Sequence, residues 1–357
     1  MTDKQQLLSD FKFYSSYSKF KKEDERMETW EEAIDRVMQM HYKKYENKIT
    51  PKLQDYLNFA TKQYKEKRIL GSQRALQFGG DSILKHEMKQ FNCLVSYCDR
   101  VEFFKEAMYL LLCGCGVGFS VQTLHVEKLP MIGKRIEGVK TFLIEDSIEG
   151  WADAIGVLLA SYSLSDIKFQ DYYGYRIDFD YSNIRPKGSY ISGGFKAPGY
   201  EGLKNSLTKI QELLDKEING NVQIPLKSII AYDIVMHMAD AVLSGGVRRS
   251  ATICLFSATD NDMLNAKTGD WYIKNPQRGR SNNSVILIRN KTSKELFSKI
   301  MESVKSWGEP GFVWSSNEDI IYNPCVEIGM TPYYIDENEN KISGWEGCNL
   351  TEINGSK

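Results

Sequence analysis

The sequence predicts an α/β protein in which a helical N-terminal region, residues 1–88, precedes a larger domain over residues 89–357. Apolar side chains recur at helical spacing in the first region. From Phe91 onward, short β-rich runs alternate with helices. This alternation is typical of strands that are buried beneath helices, so it decides the fold class.

The composition excludes several classes of partner. The 357 residues carry 46 Lys and Arg against 47 Asp and Glu, a formal net charge of −1, which gives no long-range field toward nucleic acid or a membrane. The longest apolar run, residues 108–113, is far shorter than the ~20 residues of a membrane span. Residues 1–10 lack a secretory pattern. We therefore expect a cytoplasmic protein with no membrane partner and with reduced cysteines.

Helix starts are marked by specific residues in the N-terminal region. Thr29 and Glu32 have the spacing of a capping box, which predicts a helix that begins between them. Thr50 followed by Pro51 predicts a second start, because proline is tolerated at the first helical position.

In the larger domain, we predict strands at 94–97, 118–123, 251–256, 284–288 and 311–314, and helices at 103–112, 225–243 and 294–307. The pair Gly116 and Gly118 is by itself a weak signal, because such short glycine pairs commonly mark tight turns. Residues 348–357 read as a strand and a turn with nothing behind them to complete a sheet. That arrangement would leave an exposed strand edge.

The cysteines do not have the spacing of a metal site. Zinc ligands would require paired Cys-x-x-Cys spacings or nearby histidines, but Cys113 and Cys115 are too close together and the four histidines are scattered. We predict no metal site. Cys113 and Cys254 lie in apolar runs, where buried core thiols are expected.

Cys325 differs from the other cysteines because of its neighbours in Asn-Pro-Cys-Val-Glu at 323–327. In an extended loop, residues two apart face the same side, so Asn323, Cys325 and Glu327 are expected to converge on one small ligand. A thiol, a carboxylate for general base work and an orienting amide would then meet. A polar loop around an unreactive cysteine remains the alternative when this motif is considered alone.

Other motifs stand in order with this one: Asn-Cys at 92–93 before it and Cys-Asn-Leu-Thr-Glu at 348–352 after it. Together they resemble the large subunits of ribonucleotide reductases. Residues 146–154, 245–251, 281–284 and 308–311 resemble the adenosylcobalamin-dependent class II branch, especially its monomeric triphosphate reductases. The resemblance extends over essentially the whole chain. It implies the first half of a ten-stranded α/β barrel with a central finger loop at residues 321–328.

The resemblance implies a role for each motif residue. Cys325 would become a thiyl radical that removes the 3′-hydrogen of the ribose, and Glu327 would take the proton of the 3′-hydroxyl. Cys93 and Cys348 would supply two electrons and end as a disulfide, which thiol exchange can reduce again. Substrate contacts are expected from two asparagines, Asn92 and Asn323.

Glycine-rich segments within residues 181–250 resemble the effector loops of the family, where a deoxynucleotide or ATP binds. Lysine and arginine among flexible glycines suit phosphate contacts. Ordinary turns with solvated charges are the alternative, and Arg249 also fits a structural cation at a helix end. The effector candidates are Arg185, Lys187, Lys196, Gly245, Gly246, Arg248 and Arg249.

The family also implies the remaining components. These are adenosylcobalamin, a ribonucleoside di- or triphosphate substrate, and a thioredoxin-like or glutaredoxin-like reductant. The matching pattern stops after Cys348, so we expect the C-terminal half of the reductase on another chain. No segment like an ATP cone precedes Phe11, so no overall-activity switch of that type is expected.

Three rival interpretations remain open. They are the large subunit of a class I reductase, a non-catalytic nucleotide-binding remnant, and a thiol-disulfide exchange protein. The last is disfavoured because the sequence has no Cys-x-x-Cys at a helix start.

Overall fold

The computed structural model describes residues 3–163, 167–190, 196–244 and 251–356. In these ranges the α-helices are α1 (Asp3–Ser16), α2 (Trp30–Tyr45), α3 (Pro51–Lys65), α4 (Gln73–Phe78), α5 (Asp81–Lys85), α6 (Glu102–Cys113), α7 (Thr123–Val126), α8 (Ile148–Ala160), α9 (Glu201–Ile218), α10 (Ser228–Ser244), α11 (Asn261–Leu264), α12 (Trp271–Lys274) and α13 (Lys294–Trp307). Short 3-10 turns occupy Glu46–Lys48, Glu87–Gln90, Ile167–Tyr172 and Pro276–Arg280.

The strands of the same ranges are short. They are β1 (Phe20–Lys21), β2 (Arg26–Met27), β3 (Ile69–Leu70), β4 (Cys93–Tyr97), β5 (Gly116–Ser120), β6 (Ile132–Gly133), β7 (Val139–Leu143), β8 (Arg176–Asp180), β9 (Gln223–Ile224), β10 (Thr252–Ser257), β11 (Ser281–Ile288), β12 (Gly311–Ser315), β13 (Ile321–Tyr322), β14 (Gly329–Met330), β15 (Tyr333–Ile335), β16 (Lys341–Ser343), β17 (Glu346–Cys348) and β18 (Glu352–Ile353).

The chain divides into two compact units. The first contains Met1–Asn92 together with Cys348–Lys357, and the second contains Cys93–Gly347. In the first unit both predicted helix starts are confirmed. Thr29 and Glu32 form the capping box at the start of α2, and the Thr50 side chain accepts a hydrogen bond from Leu53 N at the start of α3. One face of α2 lies in the hydrophobic core of this unit.

The prediction of an exposed strand edge after Cys348 is wrong. Strand β18 pairs antiparallel with β3, and Asn354 N donates a hydrogen bond to Arg68 O at 2.8 Å. The partner strand lies about 280 residues earlier in the chain, so local pattern does not reveal it. Ile353 stays 86% exposed, which shows that backbone pairing rather than side-chain burial holds this strand.

A six-stranded sheet forms the centre of the second unit, in the order β12-β11-β10-β5-β4-β17. The five strands from β12 to β4 run parallel. Every residue of β4 and β5 is buried, as expected when both faces of a parallel sheet are covered. The α/β class is thereby confirmed.

The predicted first and last residues of the elements agree with the structure to different degrees. Helix α13 has the predicted bounds, and α10 begins three residues later than predicted. Gly116 and Gly118 both lie inside the buried strand β5, which begins two residues before the predicted strand 118–123 and ends at Ser120. Among the described residues, no helix is both long enough and apolar enough to cross a bilayer.

Candidate active site

The finger loop, residues 321–328, is a hairpin closed by antiparallel pairing of β13 with β14. It follows β12, the edge strand of the sheet, through a turn at Asn317. The Asn317 Oδ1 atom accepts hydrogen bonds from Asp319 N at 2.8 Å and from Ile320 N at 3.1 Å. A side chain that binds the backbone two and three residues ahead favours a turn here.

The finger loop runs along the sheet from the carboxyl ends of its strands toward their amino ends. At the carboxyl end, the Tyr97 hydroxyl donates to Asp319 O at 2.5 Å. Midway, a Cβ atom placed on Gly118 would lie 2.5 Å from Tyr322 O. At the amino end, a Cβ on Gly116 would lie 3.2 Å from Pro324 Cγ and 3.0 Å from Cys93 Sγ. The two glycines therefore make room for the loop, and its tip and the Cys93 sulfur both lie close to Gly116.

The tip of the loop is a turn rather than an extended segment. Val326 N donates to Asn323 O at 2.8 Å, and Ile328 N donates to Asn323 Oδ1 at 3.2 Å. The expectation that Asn323, Cys325 and Glu327 share one side of an extended chain is therefore wrong in its geometry. Asn323 is fully buried, whereas Cys325 and Glu327 are exposed. The thiol and the carboxylate share an accessible tip, and the amide holds it closed.

Three asparagines retain buried polar atoms that have no hydrogen-bond partner within the described ranges, and one of them is Asn283 through its Nδ2. The other two atoms are the Nδ2 of Asn323 and the Oδ1 of Asn92. A buried donor or acceptor without a partner costs about 1–3 kcal/mol, so it is a place where a ligand group gains affinity by binding. The sequence assigned Asn92 and Asn323 to substrate contacts.

Cys93 and Cys348 are both buried. Cys93 begins β4 in the second unit, whereas Cys348 belongs to the first unit, where its carbonyl accepts a hydrogen bond from Asn92 N at 3.1 Å. Their pairing as a redox dithiol stays a prediction. Six of the seven cysteines are buried, which leaves Cys325 as the exposed one and distinguishes it as the accessible thiol of the chain.

Val326 places backbone strain next to the accessible thiol. Its φ is 64°, in the left-handed region that a β-branched residue rarely adopts. Such strain persists only when the surroundings impose it, and it is concentrated at functional sites.

We expect Val326→Asn to raise the free energy of unfolding by about 1 kcal/mol, because asparagine tolerates this conformation better than valine. Chemical denaturation of the purified chain measures the effect. Val139 is another exposed valine, without a positive φ. Val139→Asn should give no gain, and an equal gain in both variants would contradict the strain at residue 326.

A buried aromatic and polar cluster at the carboxyl ends of β4 and β5 was not anticipated from the sequence. His125 stacks on Tyr97 with ring centroids 4.0 Å apart, and its Nδ1 lies 2.8 Å from Ser120 Oγ. Burial, aided by the positive charge of Lys128, lowers the pKa of His125 to about 3. The ring is therefore neutral at physiological pH. The sequence presents His125 only as one of four scattered histidines, so no local signal identifies it.

The neutral state of His125 predicts acid sensitivity. The pKa of a histidine in the unfolded state is near 6.5, whereas the pKa of His125 in the folded state is about 3. Between these two pH values the unfolded state binds a proton at His125 and the folded state does not. Stability is thus lost as the pH falls. From pH 7 to pH 5 the wild-type protein should lose about 2 kcal/mol more unfolding free energy than His125→Phe, which keeps an aromatic ring on Tyr97. Denaturation curves at both pH values test this, and equal losses would contradict it.

Residues 281–284 and residues 308–311, two segments that carry the family resemblance, contact each other in the structure. Glu309 Oε2 accepts a hydrogen bond from Asn283 N at 3.2 Å, and Ser284 pairs with Gly311 between β11 and β12. The other oxygen of Glu309 binds the buried Lys267 at 2.8 Å. Among the described residues there is no cluster of three or more potential metal ligands.

The effector candidates are described only in part. Arg185 forms an ion pair with Asp146 just before α8, and Lys187 and Lys196 are exposed. Backbone hydrogen bonds run from Gly188 N to Ala197 O and from Ala197 N to Ser189 O. Gly245, Gly246, Arg248 and Arg249 lie outside the described residues.

Comparison with known proteins identifies relatives for this arrangement. No protein-family model matches the chain. A probable adenosylcobalamin-dependent ribonucleoside-triphosphate reductase of Dictyostelium discoideum is 32% identical over 212 residues, which is 58% of this chain. A putative enzyme of the same description from Mycobacterium phage D29 is 25% identical over 400 residues, or 95% of this chain. The enzyme of Lacticaseibacillus paracasei is 29% identical over 286 residues, or 68% of this chain. The chain resembles adenosylcobalamin-dependent ribonucleotide reductases.

The fold agrees with that resemblance. A crystal structure of a B12-dependent, class II ribonucleotide reductase matches 90% of this chain with a TM-score of 0.75 at 21% identity. The resemblance inferred from the order of the motifs is confirmed. The chain spans 25%, 54% and 36% of the three relatives and 53% of the structural neighbour, so it corresponds to about half or less of their length.

Proposed function

We propose that this chain carries the catalytic finger loop of a ribonucleotide reductase that makes deoxyribonucleotides for DNA synthesis. One observation carries the proposal. Cys325 is exposed at the tip of a closed loop, and the neighbouring Pro324 Cγ and the Cys93 Sγ both lie close to Gly116, at 3.2 and 3.0 Å from a Cβ atom placed there. A thiol that reacts with substrate must be accessible, and a second thiol that reduces the same substrate must lie near its path.

In the proposed reaction, a thiyl radical on Cys325 takes the 3′-hydrogen of the ribose, and Glu327 takes the proton of the 3′-hydroxyl. The 2′-hydroxyl then leaves as water with a proton from one thiol of the Cys93 and Cys348 pair, and the hydrogen of the other thiol goes to C2′. The pair gives two electrons in all and becomes a disulfide, Glu327 returns its proton to the 3′-oxygen, and Cys325 returns the hydrogen to C3′. The Nδ2 of Asn323 and the Oδ1 of Asn92 are proposed to bind the substrate. A thioredoxin-like or glutaredoxin-like protein would reduce the disulfide by thiol exchange.

Adenosylcobalamin is the proposed cofactor, as the names of the relatives indicate for those proteins. When bound, it supplies the radical that oxidises the Cys325 thiol. The fit rests on exposure, because the Cys325 side chain is open to an external group while the neighbouring Asn323 is buried. Stimulation of turnover by adenosylcobalamin, rather than by an iron or manganese partner protein, would separate class II from class I.

The ten-stranded barrel is proposed to be completed by polypeptide outside these 357 residues. The length of the relatives supports this. So does β12, which ends the sheet order of the described residues and presents Phe312 and Trp314 at 39% and 38% exposure. An edge strand with exposed aromatic side chains is a site for strand addition. We expect that polypeptide to cover this edge.

The proposed substrates are ribonucleoside di- or triphosphates, with a deoxynucleotide or ATP as effector. Exposed Lys187 and Lys196 and the partly exposed Arg185 are the described cations for the effector phosphates. Arg185→Gln should therefore weaken effector binding, which isothermal titration measures.

The proposed function is tested by measuring deoxynucleotide formation with adenosylcobalamin, a dithiol and a ribonucleoside triphosphate. The chain alone should be inactive, and the polypeptide encoded directly downstream should restore turnover. Turnover by the chain alone would refute the need for a second chain. No turnover from the complete assembly would argue for a nucleotide-binding remnant.

A further inference from the structure

We propose that Tyr97, Gln122 and His125 form a brace that fixes the root of the finger loop and thereby positions Cys325. The root is defined as Glu318 and Asp319. The brace residues are positioning residues, since they act through the backbone of the root. The inference rests on the proposed function for the role of Cys325. The restraint that the brace places on the finger loop can be measured without catalysis.

The brace binds the backbone carbonyl oxygens of two consecutive root residues. Its two donors stand at the ends of two neighbouring strands. Tyr97 ends β4, and its hydroxyl donates to Asp319 O at 2.5 Å. Gln122 follows β5, and its Nε2 donates to Glu318 O at 2.9 Å. A bond to a carbonyl restrains the main chain directly, without depending on a side-chain rotamer of the root. The path of the loop therefore begins from two fixed points on the sheet.

The two donors are themselves held by buried groups. The His125 ring stacks on Tyr97 at an interplanar angle of 18°, and its Nδ1 lies 2.8 Å from Ser120 Oγ. The same Ser120 oxygen accepts from Gln122 Nε2 at 3.1 Å. All four side chains are at most 2% exposed. A satisfied polar network in such surroundings selects one arrangement, because each alternative leaves a buried group unpaired.

The opposite side of the root is also anchored. The Asp319 carboxylate binds Lys341 Nζ at 2.6 Å, and Asp319 N is held by Asn317 Oδ1. Beyond the root, β13 crosses Gly118 with no space for a Cβ atom. Cys325 lies six residues after Asp319 (325 − 319 = 6) and is exposed. A shift at the root is therefore carried along β13 to the exposed thiol.

Hydrogen exchange of the tip amides tests the brace in the purified chain. The amides of Asn323, Val326 and Ile328 take part in the hydrogen bonds that close the tip. Tyr97→Phe keeps the ring on His125 and removes only the hydroxyl. We expect it to speed exchange of these amides about fivefold, which corresponds to about 1 kcal/mol for one hydrogen bond. Gln122→Leu should do the same through Glu318, and it preserves the test if Tyr97→Phe folds poorly.

Tyr162→Phe is the matched control. Tyr162 is also buried, and its hydroxyl bonds Asp215 at 2.7 Å, away from the finger loop. It should lower stability similarly and leave exchange at the tip unchanged. If tip exchange in Tyr97→Phe and Gln122→Leu stays at the wild-type rate, or rises equally in Tyr162→Phe, the brace is overturned.

The complete reductase gives a second readout. The brace variants should lower kcat about fivefold with KM unchanged, because they move the sulfur and touch no substrate group. If tip exchange rises in the brace variants while even the wild-type assembly lacks turnover, the brace stands and the proposed function fails. If the wild-type reductase turns over and the brace variants show unaltered amide exchange at the tip, the brace is overturned and the proposed function stands.

Discussion

Cys325→Ala is expected to lower deoxynucleotide formation by the complete assembly by more than about a thousandfold, with thermal stability unchanged. In the proposed reaction, the loss follows because alanine can neither carry a radical nor return a hydrogen atom to the substrate. Stability is preserved because the side chain is exposed and the bonds that close the tip come from the main chain and from Asn323. Turnover assays and thermal unfolding on the same preparation measure both effects.

The buried Cys254 supplies the contrast. It lies in the middle of β10 at 0% exposure, so Cys254→Ala should lower the unfolding free energy by about 1 kcal/mol and leave the activity of the folded protein intact. Full activity in Cys325→Ala would refute the catalytic assignment. Equal losses of activity in both variants would indicate a general defect of folding rather than chemistry at residue 325.

Gly118→Ala is expected to displace the finger loop. Its Cβ would lie 2.5 Å from the backbone oxygen of Tyr322, a distance that real Cβ atoms do not tolerate, so β13 or β5 must shift. Overpacking of this kind costs about 1–3 kcal/mol. A displacement of about 1 Å at a reacting group costs on the order of a hundredfold in rate. Denaturation and turnover assays should therefore both report losses.

Gly279→Ala is the control for that substitution, because the nearest atoms to its Cβ are 3.9 Å away and belong to Trp271. It should be close to wild type in both assays. If Gly118→Ala were equally harmless, the close approach of the finger loop to β5 would be wrong, and so would the reason for glycine at this position.

Local pattern predicted much of the fold correctly. The bounds of α13, the capping box of α2 and the proline start of α3 follow from periodicity and from side chains that bind their own helix. These features depend on residues a few positions apart. The order of the cysteine and asparagine motifs is likewise a property of the chain itself, and it was enough to indicate the family.

Contacts between distant segments were not predictable in the same way. The glycine pair of β5 is a weak signal in the sequence, and the crossing of Tyr322 over Gly118 gives the reason for a glycine there. The pairing of β18 with β3 joins the two ends of the chain. His125 gains its neutral state from burial, which sequence does not express. Each depends on which surfaces meet after folding.

The sequence by itself determined the α/β class, the helix starts and the identity of the Asn-Pro-Cys-Val-Glu loop, because these are written in residues near one another. The tertiary structure alone decided that the loop closes as a turn on a buried Asn323, that its thiol is exposed, and that Tyr97 and Gln122 hold its root. The physical reason is range. Backbone and capping preferences act within a few residues, whereas the position of the thiol is set by contacts between segments about 200 positions apart.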